Sequence, residues 1–396
     1  METKQRIDQL LRGVTERRDV PGIIAVAARR DGSRLYEGAF GVRSLAGDEP
    51  MTLDTVVWLA SMTKALTGAA AMQLVERGEV SLDAPAREWL PLLADVEVLE
   101  GFDADGKPVL RPPARAVTLR HLLSHTSGYA YEFWDADIQR YQEFTGLPPM
   151  ISGATDALRM PLRFDPGDRW NYGIGIDFAG RIVEQISGLR LGEYLRRELF
   201  EPLQMNNSAF KLTPSMAERM ASVHLRQPDG VLVPSDLVID QEPGFDMGGG
   251  AVYSTADDYL RFALMILNGG ELDGMRVLRP ETVAEMSRNQ LGPLRTVGLP
   301  TAMPHMTGDF EFFPGVPKGW GLTFQINLET APTGRSPGSL AWAGLCNSYY
   351  WIDPSAGVCG VYFSQILPFI DPHSYPAYEA FETAVYDHIR QPAPAR

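Results

Sequence analysis

Strand-like segments stand only near the two ends of this 396-residue chain, and a long interval between about residues 82 and 235 has almost none. At the front, Gly22-Ile-Ile-Ala-Val-Ala-Ala28 and Leu35–Val42 flank the turn Asp31-Gly32-Ser33. At the back, Trp320–Leu328, Leu340–Ile352 and Val358–Ser364 are runs of apolar, β-branched and aromatic residues. Strands need partners, and the two groups can be brought together. The simplest assembly is a mixed α/β domain built from residues 1–81 and 236–396, with a mostly helical domain, 82–235, inserted between them. Ile7, Leu10, Leu11 and Val14 have the spacing of an amphipathic helix over about 3–17. A second helix is expected from near Ser61 to Arg77, with Gly78 as its stop. Ser254-Thr-Ala-Asp257 spells a capping box opening another, and a closing helix is expected near Tyr375–Arg390.

Composition removes several function classes. Acidic residues number 50 against 36 Lys and Arg, giving a net charge of −14. Such a chain repels phosphate backbones, so nucleic-acid binding is not expected. There is no run of 18 apolar residues and no signal-like apolar stretch at the start, so a cytoplasmic protein without a membrane partner is expected. The two cysteines, Cys346 and Cys359, do not fall opposite each other in a hairpin centred near Ser355, and free thiols are expected. Only five lysines occur: Lys4, Lys64, Lys107, Lys211 and Lys318. The position of each therefore matters.

Lys64 completes the run Ser61-Met62-Thr63-Lys64. On a helix, residues i and i+3 share a face, so the hydroxyl and the amine can meet. Serine is a weak nucleophile that needs a base, and a desolvated lysine can serve as one. The free N–H groups of a helical first turn would favour a developing oxyanion. A second match, Ser208-Ala-Phe-Lys211, follows Asn206-Asn207 and reads as turn then strand, where i and i+3 point to opposite faces. Gly334-Arg-Ser336-Pro-Gly338 fits the nucleophile-elbow spelling, but that elbow needs a helix leaving it, and here Pro337 and a strand follow. His121 and His125 are four apart without a third ligand, so no metal is implied. Gly248-Gly249-Gly250 lacks the Lys-Ser/Thr of a phosphate cradle and reads as a turn or flexible wall.

Ser61 keeps informative company. Trp58-Leu-Ala-Ser61-Met-Thr-Lys64, Gly78-Glu-Val-Ser-Leu-Asp-Ala-Pro85 and Leu122-Leu-Ser-His125-Thr-Ser-Gly128 together resemble the serine β-lactamase and penicillin-binding-protein superfamily. Asp165-Pro-Gly167-Asp-Arg-Trp170-Asn-Tyr172 looks like the segment carrying that family's catalytic tyrosine, and Leu340-Ala-Trp342-Ala343-Gly344-Leu345 looks like its third motif. The order is the family's, over nearly the whole chain. With Ser61/Lys64, Tyr172 and Trp342/Gly344, the nearest likeness is to family VIII carboxylesterases. The resemblance implies an antiparallel sheet flanked by helices. It also implies a Ser61 acyl-enzyme, with proton traffic shared by Lys64 and Tyr172. The oxyanion hole would be the backbone N–H groups of Ser61 and Leu345, and Trp342, Ala343 and Gly344 would line the substrate pocket. No cofactor is implied.

Two departures from the β-lactamase pattern bear on substrate. Trp342 stands where the family's third motif begins with a lysine that holds a carboxylate, and Ile174 stands where the tyrosine motif has an asparagine. Both changes remove recognition of anionic amides. Hydrolysis of small-molecule, short-chain carboxylic esters is therefore expected, with weak or absent β-lactam turnover. An acyltransferase on the same scaffold is the nearest alternative, followed by an amidase or peptidase. A non-catalytic binding relative would be expected to have lost part of the Ser/Lys/Tyr set.

Overall fold

A computed structural model describes residues 2–390 of the chain. Its centre is a seven-stranded sheet of β1 (Gly22–Arg29), β2 (Arg34–Gly41), β3 (Lys318–Trp320), β4 (Gln325–Asn327), β5 (Leu340–Gly344), β6 (Ser348–Asp353) and β7 (Val358–Phe363). The spatial order is β3-β4-β5-β6-β7-β1-β2, and every neighbouring pair is antiparallel. The two ends of the chain meet where β1 lies against β7, with Ile24 opposite Phe363 and Ala28 opposite Cys359. This is the β-lactamase/transpeptidase-like fold, mixed α/β around an antiparallel sheet.

Strands β5, β6 and β7 are buried at every residue, and β1 at all but its last. An antiparallel sheet with one wet face would alternate, so both faces here are covered. On one side α1 (Glu2–Glu16) packs with the closing helix (Ser374–Arg390). Helix Ala256–Leu267 lies across β1, β6 and β7. Helix α2 (Thr63–Glu76) is buried on all sides from Thr63 to Leu74 and packs against α3 (Gly175–Ser187). A helix enclosed all round is a fixed post.

Several elements differ from expectation. The run Trp320–Leu328 is two strands, β3 and β4, broken by Thr323 in the left-handed region (φ +82°). Leu340–Ile352 is likewise β5 and β6, reversed at Asn347 (φ +58°). Apolar residues continue through both turns, so periodicity does not mark them. The interval 82–235 is helical in the main but also holds the hairpin Val98–Phe102/Pro108–Arg111. A second pair, His224–Arg226 and Leu232–Pro234, is joined in parallel by Ile366–Leu367. These strands are too short to display alternation. The cap of helix Ala256–Leu267 is Thr255, not Ser254: its side chain accepts from the Asp258 N–H, while the Ser254 hydroxyl meets Ser208. Both cysteines are free and buried.

Candidate active site

The site begins where a backbone presses on a backbone. Gly344, the last residue of β5, lies so close to the turn carrying Ser61 that a Cβ there would be 2.3 Å from the Leu59 carbonyl oxygen. Only glycine lets strand and turn approach this far. Ala60 then takes a left-handed conformation (φ +46°), unusual for a residue with a side chain. Ala60–Met62 form one 3-10 turn, and α2 starts at Thr63 rather than at Ser61. The turn is pinned from behind. Tyr259 donates to the Met62 carbonyl at 3.0 Å, and the Thr63 hydroxyl accepts from the Val252 N–H at 3.1 Å.

Lys64, one helical turn on, donates from Nζ to Ser61 Oγ at 3.1 Å. It also reaches Tyr131 Oη at 2.9 Å and the Gly249 carbonyl at 2.6 Å. A neutral amine has two N–H groups and one lone pair. The Gly249 carbonyl can only accept, Tyr131 can accept a second N–H, and the lone pair is then free to face the Ser61 hydroxyl. The arrangement therefore holds an uncharged lysine as well as a charged one.

Tyr172 comes from the loop leading into α3. His125, itself left-handed (φ +56°), accepts there from the Asn171 N–H at 2.9 Å through its carbonyl and from the Gly173 N–H at 3.4 Å through Nδ1. His125 also stacks on the Tyr172 ring with centroids 4.6 Å apart. Lys64 Nζ lies 4.9 Å from the Tyr172 ring centre. From β5, Trp342 donates its indole N–H to Tyr172 Oη at 3.0 Å. Trp342 thus has a polar contact as well as the place in the pocket wall expected for it.

Burial governs the charges. It pulls the Lys64 ammonium down to about 7, opposed by the nearby negative charge of Asp177. The Tyr172 phenol is pushed well above its ordinary range by burial, against the opposing pull of Ser61 and Trp342 hydrogen bonds. Burial raises Asp177 and Tyr131 too, and holds His125 neutral. Burial thus makes the neutral amine accessible near neutral pH, among neutral phenols.

Two members of this cluster escaped the sequence reading: Tyr131 and Asp177. Asp177, in the first turn of α3, is wholly buried and accepts from the Gly249 N–H at 2.9 Å through Oδ1, so it holds the residue whose own carbonyl, in the next peptide, takes Lys64. Gly248–Gly250 is a wall: its carbonyls accept in turn from Thr67 (2.7 Å), Lys64 (2.6 Å) and Trp58 (2.6 Å).

A cavity opens over Ser61. Tyr172, Trp342, Ala343, Gly344 and Leu345 line it, together with Tyr131, Phe133, Trp134, Met150, Met306 and Phe369. The backbone N–H groups of Ser61 and Leu345 find no acceptor among the described residues. The remaining motifs stand apart from the cavity. Ser208 meets Ser254 and Asp258, and Lys211 pairs with Glu242. Arg335, within the elbow-like spelling, is buried against Glu382, and Ser336 donates its N–H to Asp353 at 2.8 Å. His121 caps the short helix Leu119–Leu123, and Lys318 binds the carbonyls of Phe313 and Val316.

Comparison with known proteins agrees with this geometry. The chain is 34% identical to the monacolin J acid methylbutanoyltransferase of Aspergillus terreus, over 97% of this chain and 96% of that one. It is 32% identical to the lovastatin esterase of Penicillium rubens, over 88% and 90% of the two chains. Among solved structures, the unliganded simvastatin synthase of Aspergillus terreus superposes with a TM-score of 0.87 at 32% identity, over 99% of this chain and 100% of that one. The family model described as Beta-lactamase matches residues 7–385, and the chain belongs to that family, within the serine β-lactamase and penicillin-binding-protein superfamily.

Proposed function

We propose that this protein takes the acyl group of a carboxylic ester onto Ser61 and passes it to water or to an alcohol. The observation that carries the reading is the buried Lys64 amine 3.1 Å from Ser61 Oγ, in a state where burial favours the lone pair. Lys64 removes the Ser61 proton as Oγ attacks the acyl carbon. Negative charge builds on the carbonyl oxygen, between the Ser61 and Leu345 N–H groups. The tetrahedral species collapses with loss of the alcohol, which takes the proton through Lys64 and Tyr172. Trp342 steadies the Tyr172 oxygen throughout. A second oxygen nucleophile then releases the acyl group by the reverse route.

The pattern Ser61/Lys64, Tyr172 and Trp342/Gly344 is that of family VIII carboxylesterases, and the apolar cavity suits short-chain esters. Acyl transfer to an alcohol is the second reading. It is favoured by the end-to-end similarity to a methylbutanoyltransferase. One relative is named for an acid acceptor; among the described residues no Lys, Arg or His lines this cavity, so that acceptor is not carried over.

The test is p-nitrophenyl butyrate turnover by wild type and Ser61→Ala, with a fluorophosphonate label mapped by peptide mass. Labelling at Ser61 and loss of turnover in the variant are expected; full activity in Ser61→Ala overturns the assignment. Adding a primary alcohol and measuring ester product against free acid separates the two readings.

A further inference from the structure

The cavity over Ser61 carries a charge pattern that cleavage of a neutral ester does not require. Two carboxylates, Glu132 and Asp177, stand in its wall, and no basic side chain among the described residues joins them. Glu132 is only 8% exposed; burial raises its carboxyl, opposed by its own backbone N–H, and no ion pair among the described residues reaches it. Asp177 is fully buried; Oδ1 takes the Gly249 N–H while Oδ2 has no partner. Lys64 hydrogen-bonds to neither, but its charge acts on Asp177, so Glu132 is the one of the two without a cation beside it among the described residues. A buried carboxylate such as Glu132, with no cation beside it, is unfavourable until a ligand supplies positive charge or donors.

The surroundings narrow the choice of ligand. Glu132 is flanked in sequence by Tyr131 and Phe133, stacked at 4.7 Å between centroids, and Trp134, Trp342 and Phe369 complete that part of the wall. Aromatic faces carry negative potential and attract cations, most strongly where water is excluded. An alkylammonium group satisfies both features, its carbons against the rings and its charge against Glu132. A carboxylate in the same place would meet two like charges. The leaving oxygen must lie beside Lys64 and Tyr172 to be protonated, and Tyr131, the neighbour of Glu132, touches Lys64.

We propose that the substrate of this site is an ester whose alcohol portion carries an ammonium group, held by Glu132 within the aromatic wall. The inference rests on the acyl-enzyme reading above. In the step itself the bond from Ser61 Oγ to the acyl carbon forms and the ester C–O bond breaks. The electron pair leaves on the alcohol oxygen, which receives the proton Ser61 gave up. The ammonium is carried through unchanged.

The experiment compares three acetate esters: acetylcholine, its neutral carbon isostere 3,3-dimethylbutyl acetate, and 3-acetoxypropionate. Each is assayed with wild type and Glu132→Gln, with p-nitrophenyl acetate as a general acyl donor. We expect kcat/KM for the cation to exceed that for the isostere by about tenfold and the anion to fall below both. In Glu132→Gln the cation-to-isostere ratio is expected to fall toward one. Choline should inhibit the wild type more strongly than 3,3-dimethylbutanol, a measurement that does not depend on the variant folding. Equal turnover of cation and isostere alongside active p-nitrophenyl acetate cleavage overturns this proposal alone, as does a ratio unchanged in Glu132→Gln. No turnover of any ester overturns the acyl-enzyme reading and this proposal with it.

Discussion

Trp342 Nε1 and Tyr172 Oη are hydrogen-bonded at 3.0 Å, which ties the strand edge of the cleft to the loop that carries the tyrosine. An indole N–H supports negative charge on a phenol oxygen without bringing a formal charge of its own. It keeps the donor that a lysine at this position could supply and lacks the cation that would hold a substrate carboxylate. On the proposed mechanism, this one contact would bear on the proton chemistry while leaving the strand edge without a cation.

Trp342→Phe keeps an aromatic wall and deletes the donor. A hydrogen bond of this kind contributes about 1 kcal/mol, so kcat for p-nitrophenyl butyrate should fall by roughly fivefold to tenfold with KM little changed. Steady-state kinetics of the variant decide it: unchanged kcat reduces Trp342 to a packing residue.

The base should announce itself in the pH profile. Lys64 is active without its proton, and burial brings that loss down to about 7, so kcat/KM should rise with pH through this region and level off above it. Asp177 favours the ammonium form, so Asp177→Asn should move the rising limb to lower pH while keeping an acceptor for the Gly249 N–H. A limb that does not move removes Asp177 from the electrostatics of the base. Stability carries the opposite face of the same shift. The folded Lys64 holds its proton less tightly than the unfolded one, so the fold should lose stability as pH falls from the ordinary lysine value of about 10.4 toward 7.

Gly344→Ala places a methyl 2.3 Å from the Leu59 carbonyl and must push β5 away from the Ser61 turn. Overpacking of this sort costs about 1–3 kcal/mol, and the displacement acts on the groups expected to hold the oxyanion. Thermal unfolding should show the stability loss, and turnover should fall by on the order of a hundredfold. A variant with wild-type turnover would mean that the close approach has no part in positioning the nucleophile.

The elbow-like spelling at 334–338 should prove to be structural. Arg335 and Glu382 are both fully buried and paired at 2.5 Å, with Tyr378 donating to the same carboxylate at 2.6 Å. Removing one partner strands the other charge, so Glu382→Ala should destabilise the fold by about 3–5 kcal/mol in denaturant titration. Ser336→Ala should leave ester turnover unaltered; a large loss would reopen that serine as a nucleophile.

Much of the architecture could be read from the chain because strand patterns gathered at its two ends leave few ways to close a sheet. The pairing of β1 with β7 is what that distribution demands. Ser61 and Lys64 were legible through helical spacing, although the hydroxyl sits in a 3-10 turn ahead of α2, a distinction of hydrogen-bond register that side-chain identities do not encode. Tyr172 and Trp342 were placed by motif, but not the bond between them, which spans 170 residues. Tyr131 and Asp177 carried no signal beyond their own identities. Tyr131 lies three residues past a recognised motif and Asp177 five past Tyr172, where any tyrosine or acidic residue would look alike in sequence. Their contacts with Lys64 and Gly249 join loops and helices far apart in sequence, which only the folded chain brings together.

The meeting of β7 with β1 also fixes when a cleft can exist during synthesis. Strand β1 leaves the ribosome early, yet its neighbour on one side is among the last segments made, and β5, which presses on the Ser61 turn, is also late. Until those strands emerge, an apolar β1 has one unpaired edge and the nucleophile has no wall. The sheet edge of β1 that later meets β7 therefore stays open until the last strands are made.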